Sequence, residues 1–365
     1  MKNLQTISVV QTAFLFFIYI TGSAIIVIPG PLVGMAMNAA WLSLLISLAF
    51  GLALLAMMLY LINRYPGVSF IDICRKTIGK WPTFAVAGLM LTMAFHMAAG
   101  ILIDVAGFMN SMMLPETPAY VFTGMMFIVV ALLLRAGIET IARMFVIMTV
   151  IVILFWAVVI VLLIPDYHLD FLAPIFPEGI KPMLLGSYFT FGFPYGEVVL
   201  FMTVLPYART GAPKKLKTML VGMMIINVVI LILSTICTIM TLGPLAAEKR
   251  YPLFVLAQII EIGDIIERME AIVGMSMIAG SLMKATITMF AILTIVTDLF
   301  KINNRRLMVN PLCVMTQLMA LTLPATMLEW EELVVVVHPL WVGVVYVLPL
   351  VFITTAAFLR KSVNS

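Results

Sequence analysis

Two apolar segments of this chain are interrupted by glycine and proline at matching positions, and a lipid environment leaves few ways to fold such a sequence. The first, 7–36, is broken at Thr21-Gly22-Ser23 and again at Pro29-Gly30-Pro31. The sixth, 184–208, is broken along Phe191-Gly192-Phe193-Pro194-Tyr195-Gly196-Glu197. Unwound backbone exposes N–H and C=O groups that hydrocarbon cannot satisfy, so these groups must meet protein, water or a ligand. Five apolar segments begin at each interruption, dividing the chain into two five-helix halves. Broken helices at corresponding positions of two halves point to a small-molecule site near the bilayer midplane.

The composition fits that reading. The 365 residues are 64% hydrophobic and 10% charged, against roughly 25% charged in a soluble domain. A membrane span needs about 20 apolar residues. Ten stretches qualify: 7–36, 39–62, 82–110, 118–134, 141–164, 184–208, 216–242, 270–299, 308–325 and 336–358. The expected fold is an all-α integral membrane protein with ten transmembrane helices in a 5+5 inverted repeat, helices 1 and 6 broken. It forms a single permease-like domain over 1–365, with repeats at 7–164 and 184–358.

Charge supplies the orientation. With the N-terminus inside, the inner face collects Lys2, Arg64, Arg75, Lys76, Lys80, Arg135, Arg143, Arg209, Lys214, Lys215, Lys217, Lys301, Arg305, Arg306, Arg360 and Lys361. The outer face holds Lys181, Lys249, Arg250 and Arg268. Sixteen against four is a strong positive-inside bias, which places both termini in the cytoplasm. The net charge of +4 is thus a matter of topology rather than of nucleic-acid binding. Lys2 followed by an apolar run has the look of a leader, but the run is too long and lacks a small-x-small cleavage site. Cys74, Cys237 and Cys313 are scattered without metal-ligand spacing, so neither a disulfide nor a metal site is expected. The 30 methionines read as gap-fillers between helices.

Loop architecture repeats as well. Spans 2 and 3 are joined by 64–81, and spans 7 and 8 by the longer 243–269. In the latter, Leu253, Leu256, Ile259, Ile260 and Gly263 recur at helical spacing, as in an amphipathic helix on the membrane surface or over a cavity mouth. One linker falls inside and the other outside, as inverted repeats require.

Ionisable groups inside a span cost about 2.5–3.5 kcal/mol each even on the gentlest scale, so their depth is informative. His96, Glu197 and Lys284 fall near the midpoints of spans 3, 6 and 8, level with Gly22 in span 1. Glu197 starts the second half of helix 6, where the helix dipole favours a carboxylate. It can receive an ammonium, pair with Lys284 or carry a proton. Lys284 shares a helix face with Gly280, Ser281 and Thr288. His96, Gly100 and Asp104, at i, i+4 and i+8, form one polar stripe, and His96, Asp104, Glu197 and Lys284 are candidates for a proton relay. Asp104, nearer the outer surface, lines the approach to the cavity. Asn110 and Asn227 read as interhelical hydrogen-bonding residues. The aromatics Tyr188, Phe191, Phe193 and Tyr195 are candidates to wall the pocket. No phosphate-binding loop, two-histidine ligand pair or serine-histidine-acid set is evident, so no enzymatic activity and no cofactor are expected. A lysine at mid-depth stands in place of a sodium site and favours proton coupling.

Several runs resemble the B subunits of nutrient germinant receptors of endospore-forming bacteria, the GerAB-type spore germination proteins. They are Gly22-Ser23-Ala24 with Pro29, Tyr65-Pro66 with Gly79-Lys80-Trp81, Phe176-Pro177-Glu178-Gly179-Ile180-Lys181-Pro182, Phe193-Pro194-Tyr195-Gly196-Glu197 and Ile266-Glu267-Arg268-Met269-Glu270. The ordered set runs through nearly the whole chain. The resemblance implies a fold like the amino-acid permeases of the APC superfamily, a place in the spore inner membrane, and A and C subunits as partners. The implied ligand is a nutrient, an amino acid or a sugar, and the few neutral polar side chains at the expected site favour the amino acid modestly. Its expected contacts are Thr21, Gly22, Ser23, Ala24, Phe191, Gly192, Phe193, Tyr195, Glu197, Ser281 and Lys284. The N–H groups of Gly22, Ser23 and Ala24 would hold a carboxylate, and carbonyls ending the first half of helix 6, with Glu197, an ammonium. The alternative is a proton-coupled amino-acid transporter working without partners; a ligand-opened ion-conducting element is a third possibility.

Overall fold

The computed structural model describes residues 5–209, 212–260, 268–323 and 326–363. Lys2, Gly263, Ile266 and Glu267 lie outside this set, and so does the side chain of Lys361.

The first segment starts as α1 (Val9–Thr21), whose N-terminus carries a capping box: Ser8 and Gln11 satisfy each other's backbone N–H groups. It stops where the sequence breaks. Gly22 leaves helical geometry and the chain resumes as α2 (Ala24–Val27), then α3 (Pro29–Ala36), which begins on its proline. α4 (Ala40–Arg64) follows after a tight turn at Met37. The 64–81 linker contains a short amphipathic helix, α5 (Phe70–Ile78), capped by Ser69, with Phe70, Ile71, Ile73 and Cys74 buried. Then come α6 (Lys80–Phe108), α7 (Ala119–Ala136) and α8 (Ile138–Leu162).

The second half repeats this plan. α9 (Lys181–Thr190) ends in a wide turn over Phe191–Tyr195, where Phe193 adopts an extended conformation (φ −128°, ψ 113°) beside Pro194. The helix restarts in tighter 3-10 form at Gly196–Thr203. α10 (Pro213–Leu242) leads to the 243–269 linker, in which α11 (Pro252–Ile259) buries Leu253, Phe254, Leu256 and Ala257. α12 (Glu270–Leu299) and α13 (Arg305–Thr322) follow. The last segment runs from α14 (Met327–Glu332) through a wide turn at Leu333–Val337 to α15 (His338–Val342), and through a second at Gly343–Val347 to α16 (Leu348–Val363).

Among the described residues, eight helices are individually long and apolar enough to cross a membrane. Of the ten expected stretches, the two outside this set are the broken 184–208 and the 308–325 segment, which is α13 with its internal Pro311. The last helix begins nine residues before the expected 336. Glu329, Glu331 and Glu332 read as loop, yet Thr326 and Glu329 form a capping box that starts the helix there, with acidic residues favoured in the first turn. Asn110 also departs from expectation: its amide nitrogen donates to Thr117 O and Ala106 O, within its own helix end and the following loop.

α12 is the central element, with α1 and α6 against it, while α7 and α8 turn rows of exposed aliphatic residues such as Ile147, Ile151, Leu154 and Val158 outward. Small residues let the central helices cross at the first break. A Cβ on Gly22 would fall 2.8 Å from Gly280 O, and one on Gly280 would fall 2.6 Å from Gly22 O. Either atom would overlap backbone, which cannot rotate away. Gly22→Ala or Gly280→Ala should therefore lower the thermal stability of the purified protein by about 1–3 kcal/mol. Gly88→Ala and Gly124→Ala, whose Cβ positions are open, should be neutral or slightly stabilising in the same melting experiment.

Candidate functional site

The two breaks face one narrow cavity. Its walls are Ser23 from the first break, Phe193 and Glu197 from the second, and Lys284 from α12; α6 contributes His96, Met97, Gly100, Ile101 and Asp104, and the last segment Trp330, Val334 and His338. Its free volume of about 30 Å³ has room for a water or two.

At its base lies a buried ion pair. Lys284 Nζ is 2.7 Å from Glu197 Oε2, with the two residues 1% and 3% exposed. His338 Nε2 approaches the other carboxylate oxygen, Oε1, at 3.1 Å. The ammonium also sits over the Phe193 ring, 4.0 Å from its centroid, a cation–π contact strengthened by the absence of water. Tyr19, one turn before the first break, donates its hydroxyl proton to the Glu197 carbonyl at 3.0 Å and so ties the two broken helices together.

Backbone at the first break is partly free. Gly22 N–H donates to Ile18 O, closing α1, and pairing resumes only with Ile26 and Val27 on Ser23 O. The N–H groups of Ser23, Ala24 and Ile25 are thus left as the open first turn of the restarted helix. Asn227 on α10 supports the other side, donating to Ile20 O and Thr21 Oγ1 at 3.3 and 3.0 Å.

Toward the end of α6, Asp104 Oδ1 accepts from Trp330 Nε1 at 2.8 Å and lies 3.8 Å from Arg250, which is the same distance from Glu331. Tyr251 also donates to the Asp104 carbonyl, and its ring meets Phe108 edge-on, which seats the start of α11 against this end of the cavity. Burial pushes the Tyr251 hydroxyl well above the ordinary tyrosine range, so it stays a donor.

Of the residues expected from sequence, Ser23, His96, Asp104, Phe193, Glu197 and Lys284 meet at this cavity. Thr21 is engaged by Asn227, Gly22 by the crossing with α12, and Ala24 is buried in the short α2. Phe191 packs on Phe50, Gly192 against Pro339 and Tyr195 against Gly51. Ser281 is buried on α12, its hydroxyl 3.8 Å from Met277 Sδ. Sequence reasoning did not find Trp330, His338, Tyr19 or Arg250. The Thr326-x-x-Glu329 spacing was the available signal for the first two: it moves the helix start back and carries His338 from a span end to mid-depth.

The sequence profile of a family described as spore germination proteins matches residues 6–326. The chain belongs to this family. Across 361 residues it is 25% identical to Spore germination protein KB of Bacillus subtilis (strain 168), covering 97% of this chain and 95% of that one. Solved structures share the fold of this spore germination protein at low identity. MhsT in complex with L-phenylalanine superposes with a TM-score of 0.71 at 16% identity, over 93% of this chain and 88% of that one. A Na+-coupled sialic acid symporter in a substrate-bound, outward-open state gives 0.69 at 8% identity, over 93% and 78%. A manganese transporter of Eremococcus coleocola gives 0.57 at 13%, over 96% and 82%. The spore germination protein therefore has the fold of LeuT-type transporters, with helices 1 and 6 as the broken pair.

A buried charge left alone is far more costly than a buried pair. Lys284→Met should destabilise the protein by about 3–5 kcal/mol, because it strands the Glu197 carboxylate. The double variant Lys284→Met, Glu197→Gln should recover much of that loss. Melting curves of the four proteins in one detergent give the coupling directly.

Proposed function

We propose that this chain is the nutrient-binding membrane subunit of a spore germinant receptor. It takes a small ligand, an amino acid, between the broken helices and passes the event to A and C subunits. The observation that carries the reading is the meeting of both helix breaks in one charged cavity. The free N–H groups of Ser23 and Ala24 suit a carboxylate, and the carbonyls closing α9, near Glu197, suit an ammonium. Ser23 alone among the described lining residues offers a neutral hydroxyl, which suits an amino acid better than the many hydroxyls of a sugar. MhsT, of the same fold, holds L-phenylalanine. Membership of the spore germination family supports the spore inner membrane as the location, and the charge asymmetry supports ten spans with both termini on the core side.

Binding signals only if it favours one conformation over another. The two-state element in this reading is the rocking of one helix bundle against the other, or movement of α11 and Arg250 at the outer mouth. A ligand larger than a water or two requires such an opening, since the cavity is filled by its own side chains.

A proton-coupled permease is the second reading. It is favoured by the run of exchangeable groups Lys284, Glu197 and His338, with the His96 ring 5.7 Å from that of His338. Thermal stabilisation of the purified protein by amino acids, and its absence with sugars, is the expected result for either reading, lost in Glu197→Gln and in Lys284→Met. Stabilisation by sugars alone would overturn the amino-acid assignment. Vesicles containing this chain alone should not accumulate labelled ligand if it is an obligate receptor subunit; accumulation driven by a proton gradient would establish the permease.

A further inference from the structure

One aromatic side chain inside the cavity has no part in the ion pair or in the helix breaks. Trp330, 3% exposed, lays its six-membered ring over Gly100 so closely that a Cβ on Gly100 would fall 2.5 Å from two ring carbons. Its Nε1–H donates to Asp104 at 2.8 Å, and the His96 ring lies 5.2 Å away at 44°. His96 Nε2 is buried in the same wall without a partner. The space thus has a floor bare of side chain, an aromatic wall and a carboxylate acceptor at one end. It opens directly onto Glu197 and Lys284.

Trp330 is also placed to leave. α14 is a six-residue helix followed by the wide turn at Leu333–Val337, and such turns are where helices bend. Its ties to the neighbouring linker are long: Arg250 donates to Met327 O at 3.4 Å and stands 3.8 Å from Glu331.

We infer that the slot formed by Gly100, His96 and Asp104 is a side-chain subsite for a flat aromatic ring bearing an N–H, and that Trp330 is its resident competitor. The inference rests on the amino-acid reading above: the ammonium and carboxylate occupy the helix breaks and the ring enters the slot. The ligand class is an amino acid with an indole-like side chain. Trp330 then sets the apparent affinity, because ligand binds only in the fraction of molecules whose slot is vacant.

The test is calorimetric titration of the purified full chain with tryptophan, alanine and free indole. Wild-type protein should bind tryptophan more tightly than alanine. Trp330→Ala should tighten tryptophan by about tenfold or more and alanine by less than about threefold, as removal of a competing state predicts. Trp330→Phe, which keeps a ring but loses the bond to Asp104, should give a smaller gain and stands in if the alanine variant does not fold. Gly100→Ala should abolish tryptophan binding and leave alanine binding in place. If alanine binds throughout and tryptophan responds to none of these changes, the subsite is refuted and the amino-acid reading survives. Free indole binding Trp330→Ala as tightly as tryptophan does would reveal only a hole left by the substitution, and would also refute the subsite. If neither amino acid binds folded wild-type protein or Trp330→Ala, both readings fall.

Discussion

A lysine ammonium 1% exposed in the middle of a membrane bundle is tolerable only with a carboxylate in contact, and Glu197 provides it at 2.7 Å. Much of the interior follows from that requirement. Glu197 can reach Lys284 only because helix 6 is unwound at Phe193 and restarts at Gly196, which brings the carboxylate to the start of a new helical segment. Tyr19 can tie that restart to α1 only because α1 itself stops at Gly22, three residues on. α12, which carries Lys284, can approach this point only because Gly22 and Gly280 leave no side chains between the backbones. Charge pairing, helix breaking and glycine packing are one arrangement seen from three sides.

The same arrangement explains why polarity is concentrated here. Unwound backbone in a bilayer must be buried in protein or line a cavity. At the first break Asn227 donates to the Ile20 carbonyl, and the helix that restarts after it leaves its first-turn N–H groups without a helical partner. Charge around the cavity is balanced as well. Glu197 and Lys284 balance each other, and Asp104 is balanced by Arg250. Each of these charges has a partner, so none of the four is buried alone.

The Asp104 end of the cavity is built on a different principle. There the Trp330 and His96 rings lie 5.2 Å apart in the wall, and the Trp330 indole donates to Asp104 at 2.8 Å. The Glu197 end is held by a short ion pair and the Asp104 end by tilted ring contacts and longer contacts to Arg250. Opening is therefore easier at α14 and α11 than at the ion pair.

The glycine and proline interruptions, the rare ionisable residues His96, Glu197 and Lys284, and eight of the apolar stretches were legible in the chain, because lipid penalises each exception to an apolar helix and so makes exceptions stand out. That logic led to the α-helical permease fold and to six of the residues that line the cavity. It also gathered residues that stand outside the cavity lining. Phe191, Gly192, Tyr195 and Ser281 sit beside the breaks in sequence but point into helix packing, since which face of an unwound turn meets the cavity depends on its neighbours. Trp330 and His338 were missed for another reason: the Thr326-x-x-Glu329 capping box shows where their helix starts, but nothing local says that the helix meets Glu197, Lys284 and α6. The sequence by itself determined where the helices must break and which charges must be buried, because those are costs paid against the solvent. The tertiary structure alone decided which side chains close around the breaks, because that is set by helix crossings such as Gly22 on Gly280 and Trp330 on Gly100, where two distant parts of the chain must fit.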